Sequence, residues 1–262
     1  RVASEGHAEE AAGIVRTITA RHQTILGDLL PAGQQTEVKA AMDVWARELL
    51  SLVRGISILG ELTNRTLDLL GSYGERFSSL IFEAYLRTSG VPSTLVDART
   101  FMITNAQFTR AIPDLAVTGE RLQHTVRPLL DRGLIVVTQG FIGATPSGIT
   151  TTIGRGGSDH SAALIGALLD AEEIQIWTDV DGMMTADPRE VGGARVIPLL
   201  SYDEVAEMAY FGARILHSRM IIPLRDGRIP LRVRNVFKPQ QAGTLVHTNT
   251  TPTGFKAVTT IQ

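Results

Sequence analysis

The stretch GRGGSDHSAALIGALLDA, Gly154–Ala171, decides how this chain is read. Three glycines (Gly154, Gly156, Gly157) let the backbone turn tightly and aim N–H groups into one concavity. Ser158 is placed to cap the following helix, whose positive end faces the same concavity, so the loop suits an anion. Arg155 adds a planar guanidinium fork matched to a carboxylate or a phosphate, and Asp159, in the first helical turn, is placed to position a cation or a lysine. Neither standard nucleotide motif applies: no Lys-Ser or Lys-Thr follows the glycines, and the Gly-x-Gly-x-x-Gly spacing is missing.

Upstream, the uncharged run LIVVTQGFIGATPSGITTTI (Leu134–Ile153) contains a turn at Thr145–Gly148, which predicts an antiparallel ribbon projecting just before the glycine loop. Farther back, STLVDA (Ser93–Ala98) and LIVVTQGF are β-rich and separated by the helical GERLQHTVRPLLDRG, the pattern of parallel strands joined by a crossover. Downstream come a strand around Ile174–Trp177, a loop to Arg189 and a helix announced by a Ser201/Glu204 capping box, with Val205, Met208, Gly212 and Ile215 on its buried side. IPLRVRNVF supplies a further strand. Strands alternating with helices predict an α/β fold with a doubly wound, mainly parallel sheet covered on both faces. Ligands are then expected at strand C-terminal ends, a rule that the loops after Ile153 and Trp177 both satisfy.

The first half is helical. Ile14, Ile18, Ile25 and Leu29 share one face of a first helix, and Val38, Met42, Trp45, Leu49, Leu52 and Ile56 one face of a second, both read as packing surfaces with Trp45 structural. A third apolar segment runs from Leu62 to about Gly71. Ser72 and Glu75 then form a capping box that opens a fourth helix burying Phe77, Leu80, Ile81 and Leu86.

With 262 residues and 44% hydrophobic content the chain can bury a sizeable core, and a formal net charge of −2 gives no electrostatic reason to expect nucleic acid. The absence of cysteine excludes disulfides, thiolate catalysis and cysteine-ligated zinc, and no histidine pair has metal-ligand spacing. The uncharged run around Gly140 holds too much Gly, Pro, Gln and Thr to span a membrane, and the zero cysteines together with the missing signal-like segment lead to the expectation of a cytoplasmic protein. The chain opens on Arg1 in a polar segment and ends on a Thr-rich linker followed by the strand pattern FKAVTTI, so a fragment of a longer protein is expected.

The motifs TTTIGRGGSDHSAALIGALLDA (Thr150–Ala171), WTDVDGMMTADPR (Trp177–Arg189), SYDEVAEMAYFGARILH (Ser201–His217) and SYGER (Ser72–Arg76) together resemble the aspartate kinases (aspartokinases) of the amino-acid kinase superfamily, from about Leu62 to Val246. The resemblance implies a three-layer α/β/α sandwich in which residues 1–246 form the catalytic domain and 247–262 a linker into an ACT-type regulatory domain. It also implies MgATP-dependent phosphorylation of the L-aspartate side chain, a first step of lysine, threonine and methionine biosynthesis, under allosteric control in a homo-oligomer. By the same resemblance Arg155 grips the aspartate carboxylates, Ser158 and the Gly156 and Gly157 amides complete that pocket, and Glu75 meets the substrate ammonium. Thr178 and Asp179 contact ATP, Arg189 its phosphates, and Arg214 and Ile215 the far side of the nucleotide. Asp159 orients a catalytic lysine in the family, but the Lys-Phe-Gly-Gly strand that carries the lysine has no match here. Met184 replaces a common aromatic residue near the nucleotide, Arg214 a common lysine, and Ser218 a usual proline. Mg²⁺ is expected to arrive with ATP rather than in a protein-built metal site. Two other readings stay open: a kinase for glutamate, acetylglutamate or UMP, and a non-catalytic ligand-binding module.

Overall fold

A computed structural model describes residues 1–210 and 218–248, and divides the chain into two compact units, Arg1–Gly154 and Arg155–Gln262. The first unit begins with α1 (Ala8–Leu29) and α2 (Thr36–Leu59), joined through a short 3-10 turn at Ala32–Gln34. Gly60, at φ 65°, ends α2 in the left-handed conformation, and Thr63 starts α3 (Asn64–Thr88) by accepting a hydrogen bond from the Thr66 amide at 3.2 Å. Leu26, Val38, Met42, Leu49, Phe77 and Ile81 are buried where these helices meet, each contributing about 1.5–3 kcal/mol of apolar burial. Trp45 packs edge-on against Phe77 at 5.5 Å, the structural role expected of it.

Two helical expectations change. On α1 the buried residues are Ala11, Ala12, Val15, Thr19 and Leu26, whereas Ile14, Ile18, Ile25 and Leu29 are 38–47% exposed. The period is right but the packing face is the neighbouring one, where alanines let α1 approach closely. There is also no helix boundary at Gly71: α3 runs unbroken through Gly71 and Gly74, and Ser72 and Glu75 lie inside it. The Ser72 hydroxyl donates backward to the Leu69 carbonyl at 2.7 Å instead of capping a helix. Two interior glycines cost about 1 kcal/mol each, which burial of Tyr73, Phe77 and Ile81 outweighs.

After α3 come β1 (Ser93–Leu95), α4 (Leu115–Thr125), α5 (Arg127–Asp131) and β2 (Ile135–Val137), with β1 and β2 parallel in the register Ser93↔Ile135, as the crossover pattern predicts. The turn at Thr145–Gly148 joins β3 (Ile142–Ala144) to β4 (Thr150–Thr152) in an antiparallel hairpin, with Gly148 at φ 80°. The hairpin does not project: all six strand residues are buried, and β4 packs against α3.

The second unit comprises α6 (Gly157–Leu168), β5 (Ile174–Thr178), β6 (Leu199–Ser201), α7 (Tyr202–Tyr210), α8 (Ser218–Gly227), β7 (Leu231–Asn235) and β8 (Thr244–His247). Its sheet has the order β5-β7-β8-β6, parallel at β5–β7 and β6–β8 and antiparallel at β7–β8. Gly166 lets α6 lie tight on β5, since a Cβ there would fall 2.2 Å from Ile174 Cδ1. The Ser201/Glu204 capping box forms as read: the Ser201 amide donates to Glu204 Oε2 at 2.7 Å and the Glu204 amide to Ser201 Oγ at 3.2 Å. Among the described residues no helix is long and apolar enough to cross a membrane. The α/β class with mainly parallel pairing is the predicted one. Gly212, Ile215, His217 and the FKAVTTI pattern lie outside the described residues.

Candidate active site

In the first unit the chemistry concentrates on α3. Glu75 is half-buried and has no hydrogen-bond or ion-pair partner among the described residues; burial pushes its carboxyl above the ordinary glutamate value. Its neighbour Arg76 is buried, with its guanidinium 4.3 Å from the Trp45 ring centroid and 4.7 Å from that of Tyr73. The Tyr73 hydroxyl donates to Glu48 Oε2 at 2.7 Å, and burial, reinforced by that carboxylate, pushes its pKa up to about 12. Next to this group Asp97 accepts from Arg99, with Nη2 to Oδ2 at 2.5 Å. Burial alone would raise the Asp97 carboxyl, but the Arg99 hydrogen bonds and charge hold it below the usual range. A cavity of about 710 Å³ between α2 and α3, lined by Val44, Arg47, Leu52, Leu69 and Tyr73 among others, contains none of the predicted site residues.

Sequence reading missed Asp68. It is 1% exposed on α3, and its carboxylate accepts from the Thr109 amide (3.0 and 2.9 Å), the Thr152 amide (2.9 Å) and the Thr152 hydroxyl (2.6 Å). It thus ties the 105–112 loop to the end of β4. Thr109 adopts φ 71°, an uncommon conformation for a β-branched residue, and Gly154 lies against it so closely that a Cβ would sit 2.9 Å from the Thr109 carbonyl oxygen. The exit from β4 into the glycine loop is therefore fixed by a buried carboxylate. An aspartate inside a helical pattern carries no sequence mark of this role.

In the second unit the glycine loop has the predicted helix N-terminus, with the cap displaced. Gly156, at φ 68°, is the N-cap of α6; Ser158 is not, and stands exposed inside the first turn. Glycine takes the left-handed conformation at little cost, so the helix starts two residues earlier than a serine cap implies. The Gly157 and Ser158 amides make no hydrogen bond among the described residues, which leaves two donors at the positive end of the helix. Arg155 is exposed with no partner among the described residues, and Asp159 lies in the first turn of α6.

Thr178 and Asp179 stand at the C-terminal end of β5, as expected, with Thr178 Oγ1 donating to Asp179 Oδ1 at 3.2 Å. Asp181 is a structural clamp: Asn235 Nδ2 donates to Oδ1 at 2.6 Å and Lys238 Nζ to Oδ2 at 2.8 Å, and these bonds hold its carboxyl below the usual range. Met184 pairs its backbone with Val196 in an isolated bridge. Arg189, 81% exposed at its side chain, chelates Asp187 through Nε (3.0 Å) and Nη2 (2.7 Å), so a phosphate would share it with that carboxylate. Arg214 and Ile215 lie outside the described residues, and no described cluster of three or more His, Cys, Asp or Glu is arranged to hold a metal ion.

The chain is 42% identical over 222 residues to the lysine-sensitive aspartokinase 3 of Escherichia coli (strain K12), covering 82% of this chain and 49% of that protein. It is 41% identical over 212 residues to the chloroplastic aspartokinase 1 of Arabidopsis thaliana, covering 77% and 36%. The chain thus spans half or less of the length of these relatives. Its structure resembles that of E. coli aspartokinase III in complex with aspartate and ADP, with a TM-score of 0.85 at 36% identity, covering 91% of this chain and 52% of that one. Residues 7–235 match the model of the amino acid kinase family, and the chain belongs to that family.

Proposed function

We propose that this chain is the catalytic part of an aspartate kinase, transferring the γ-phosphoryl group of ATP to the side-chain carboxylate of L-aspartate. One observation carries the reading: Glu75 is a half-buried carboxylate without a partner on a helix whose other buried polar groups are all satisfied by the protein. A group placed that way calls for a cation from outside, and the ammonium of an amino acid supplies one. In the second unit, Arg155 with the Gly157 and Ser158 amides offers an anion site suited to a carboxylate. The resemblance to an enzyme crystallised with aspartate and ADP supports the reading.

The chemistry asks little of acids and bases. A carboxylate nucleophile is already ionised at neutral pH, so the barrier is electrostatic and geometric: an anion must approach a polyphosphate in line. Exposed arginines and helix-end amides meet that need. Mg²⁺, when bound, would neutralise polyphosphate charge; Asp179, beside Thr178 at the end of β5, is a carboxylate that could hold it, Asp181 being engaged by Lys238 and Asn235. The balanced reaction gives aspartyl 4-phosphate and ADP.

Hydroxylamine trapping tests this directly, since the acyl phosphate is converted to aspartyl hydroxamate. Higher turnover with glutamate, acetylglutamate or UMP than with aspartate would overturn the substrate assignment. ATP hydrolysis without any acceptor dependence would overturn the kinase reading.

A further inference from the structure

Phe237 is 78% exposed and follows Val236, 52% exposed, so consecutive large apolar side chains meet solvent just past the end of β7. Isolated exposed apolar residues are ordinary; the position of this pair is not. β5 and β7 are parallel neighbours in the register Thr178↔Asn235, and the Val236 amide donates to the Thr178 carbonyl at 2.8 Å. Phe237 therefore sits at the shared C-terminal end of two parallel strands, beside Thr178 and Asp179, where α/β sheets bind ligands.

Its backbone is fixed in advance. Buried Asn235 accepts from the Phe237 amide through Oδ1 at 2.8 Å, and its Nδ2 donates to Asp181 Oδ1 at 2.6 Å and to the Asp179 carbonyl at 3.3 Å. Lys238 closes the turn onto Asp181 at 2.8 Å, while Arg234 Nη2 donates to the Pro239 carbonyl at 2.6 Å. One asparagine thus couples the Asp179–Asp181 loop to the segment presenting the ring. Of the two proposed substrates, the nucleobase is the part with a flat apolar face; aspartate and the polyphosphate have none.

The geometry points to Phe237, flanked by Val236, as the platform on which the purine base of the nucleotide stacks. This rests on the nucleotide reading above. The test is titration calorimetry on the full chain with ADP and, separately, with base-free tripolyphosphate, for the unaltered protein, Phe237→Ala and Phe237→Tyr. Loss of the ring weakens ADP binding about ten-fold and leaves tripolyphosphate binding and the aspartate KM unchanged, and tyrosine restores ADP affinity. The exposed position keeps folding out of the comparison. ADP binding intact in Phe237→Ala, or an equal loss for ADP and tripolyphosphate, overturns the platform alone. Failure of the unaltered chain to bind ADP overturns the nucleotide reading as well.

Discussion

Replacing Asp68 by alanine removes the acceptor of the Thr109 amide, the Thr152 amide and the Thr152 hydroxyl in a site with no exposure to recruit water. Hydrogen bonds to a charged acceptor contribute about 1.5–3 kcal/mol each, and an orphaned buried donor costs about 1–3 kcal/mol. Broken buried networks rarely cost more than about 5 kcal/mol, because the surroundings relax, so a loss of roughly 3–5 kcal/mol is expected. At about 2–4 °C per kcal/mol for a domain of this size, the melting temperature should fall by about 10 °C. Asp68→Asn is the informative control. Oδ2 accepts both amides, so an asparagine oxygen placed there keeps both, and its Nδ2 in place of Oδ1 can donate to the Thr152 hydroxyl. Its expected cost is about 1 kcal/mol. Thermal melts, with amide exchange at Thr109 and Thr152, read both variants. An alanine variant melting with the parent, or an asparagine variant as damaged as the alanine one, would refute the clamp.

Burial raises the Glu75 carboxyl, so the folded state holds its proton to higher pH than the unfolded chain; stability attributable to this group is greatest at acid pH and declines as pH rises above the ordinary 4.5 through the raised value. Glu75→Gln should therefore stabilise the protein at neutral pH and raise the aspartate KM by at least about ten-fold, with the KM for MgATP unmoved; a variant less stable than the parent at neutral pH contradicts the burial argument. In the parent, aspartate affinity should weaken on acidification through the same window, checked by KM against pH. Arg155→Lys keeps charge and loses the fork while Arg155→Ala loses both, so kcat/KM for aspartate should fall about ten- to a hundred-fold, more for alanine; parental kinetics in Arg155→Ala would return the loop to a simple turn. Thr109→Gly relieves a left-handed threonine and should raise stability by about 0.5–1 kcal/mol in chemical denaturation, which a destabilised variant would disprove.

Periodicity exposed most of the fold, and local punctuation misled where tertiary burial outbid it. Gly71 followed by Ser72-x-x-Glu75 has the form of a helix stop and restart, yet Tyr73, Phe77 and Ile81 bury one continuous face and hold α3 straight through it. The glycine loop was legible because glycine, arginine and a helix start are local features. Its cap was not, because serine at the second helical position and serine at the cap differ only in whether Gly156 turns left-handed. Asp68 was out of reach of any window: its partners lie 41 and 84 residues away in sequence.

Those partners also explain why Glu75 stands out. The buried polar residues of α3 are Asp68, Ser72, Arg76, Ser79 and Glu83, spaced by three or four, so they form a polar stripe on a face that would ordinarily be apolar. Desolvating such a stripe is tolerable only if each group finds a partner. Asp68 binds Thr109 and Thr152, Ser72 the Leu69 carbonyl, and Arg76 the faces of Trp45 and Tyr73. Ser79 accepts from Gln139 at 2.7 Å, and Glu83 accepts from Ser93 at 3.3 Å and lies 3.6 Å from Arg87. Glu75, one residue from the stripe and half-buried, breaks the pattern. A helix that provides partners for five buried polar groups and leaves the adjacent carboxylate open is the basis on which we propose Glu75 as the group that meets the substrate ammonium, a cation being the partner that the sign of its charge requires.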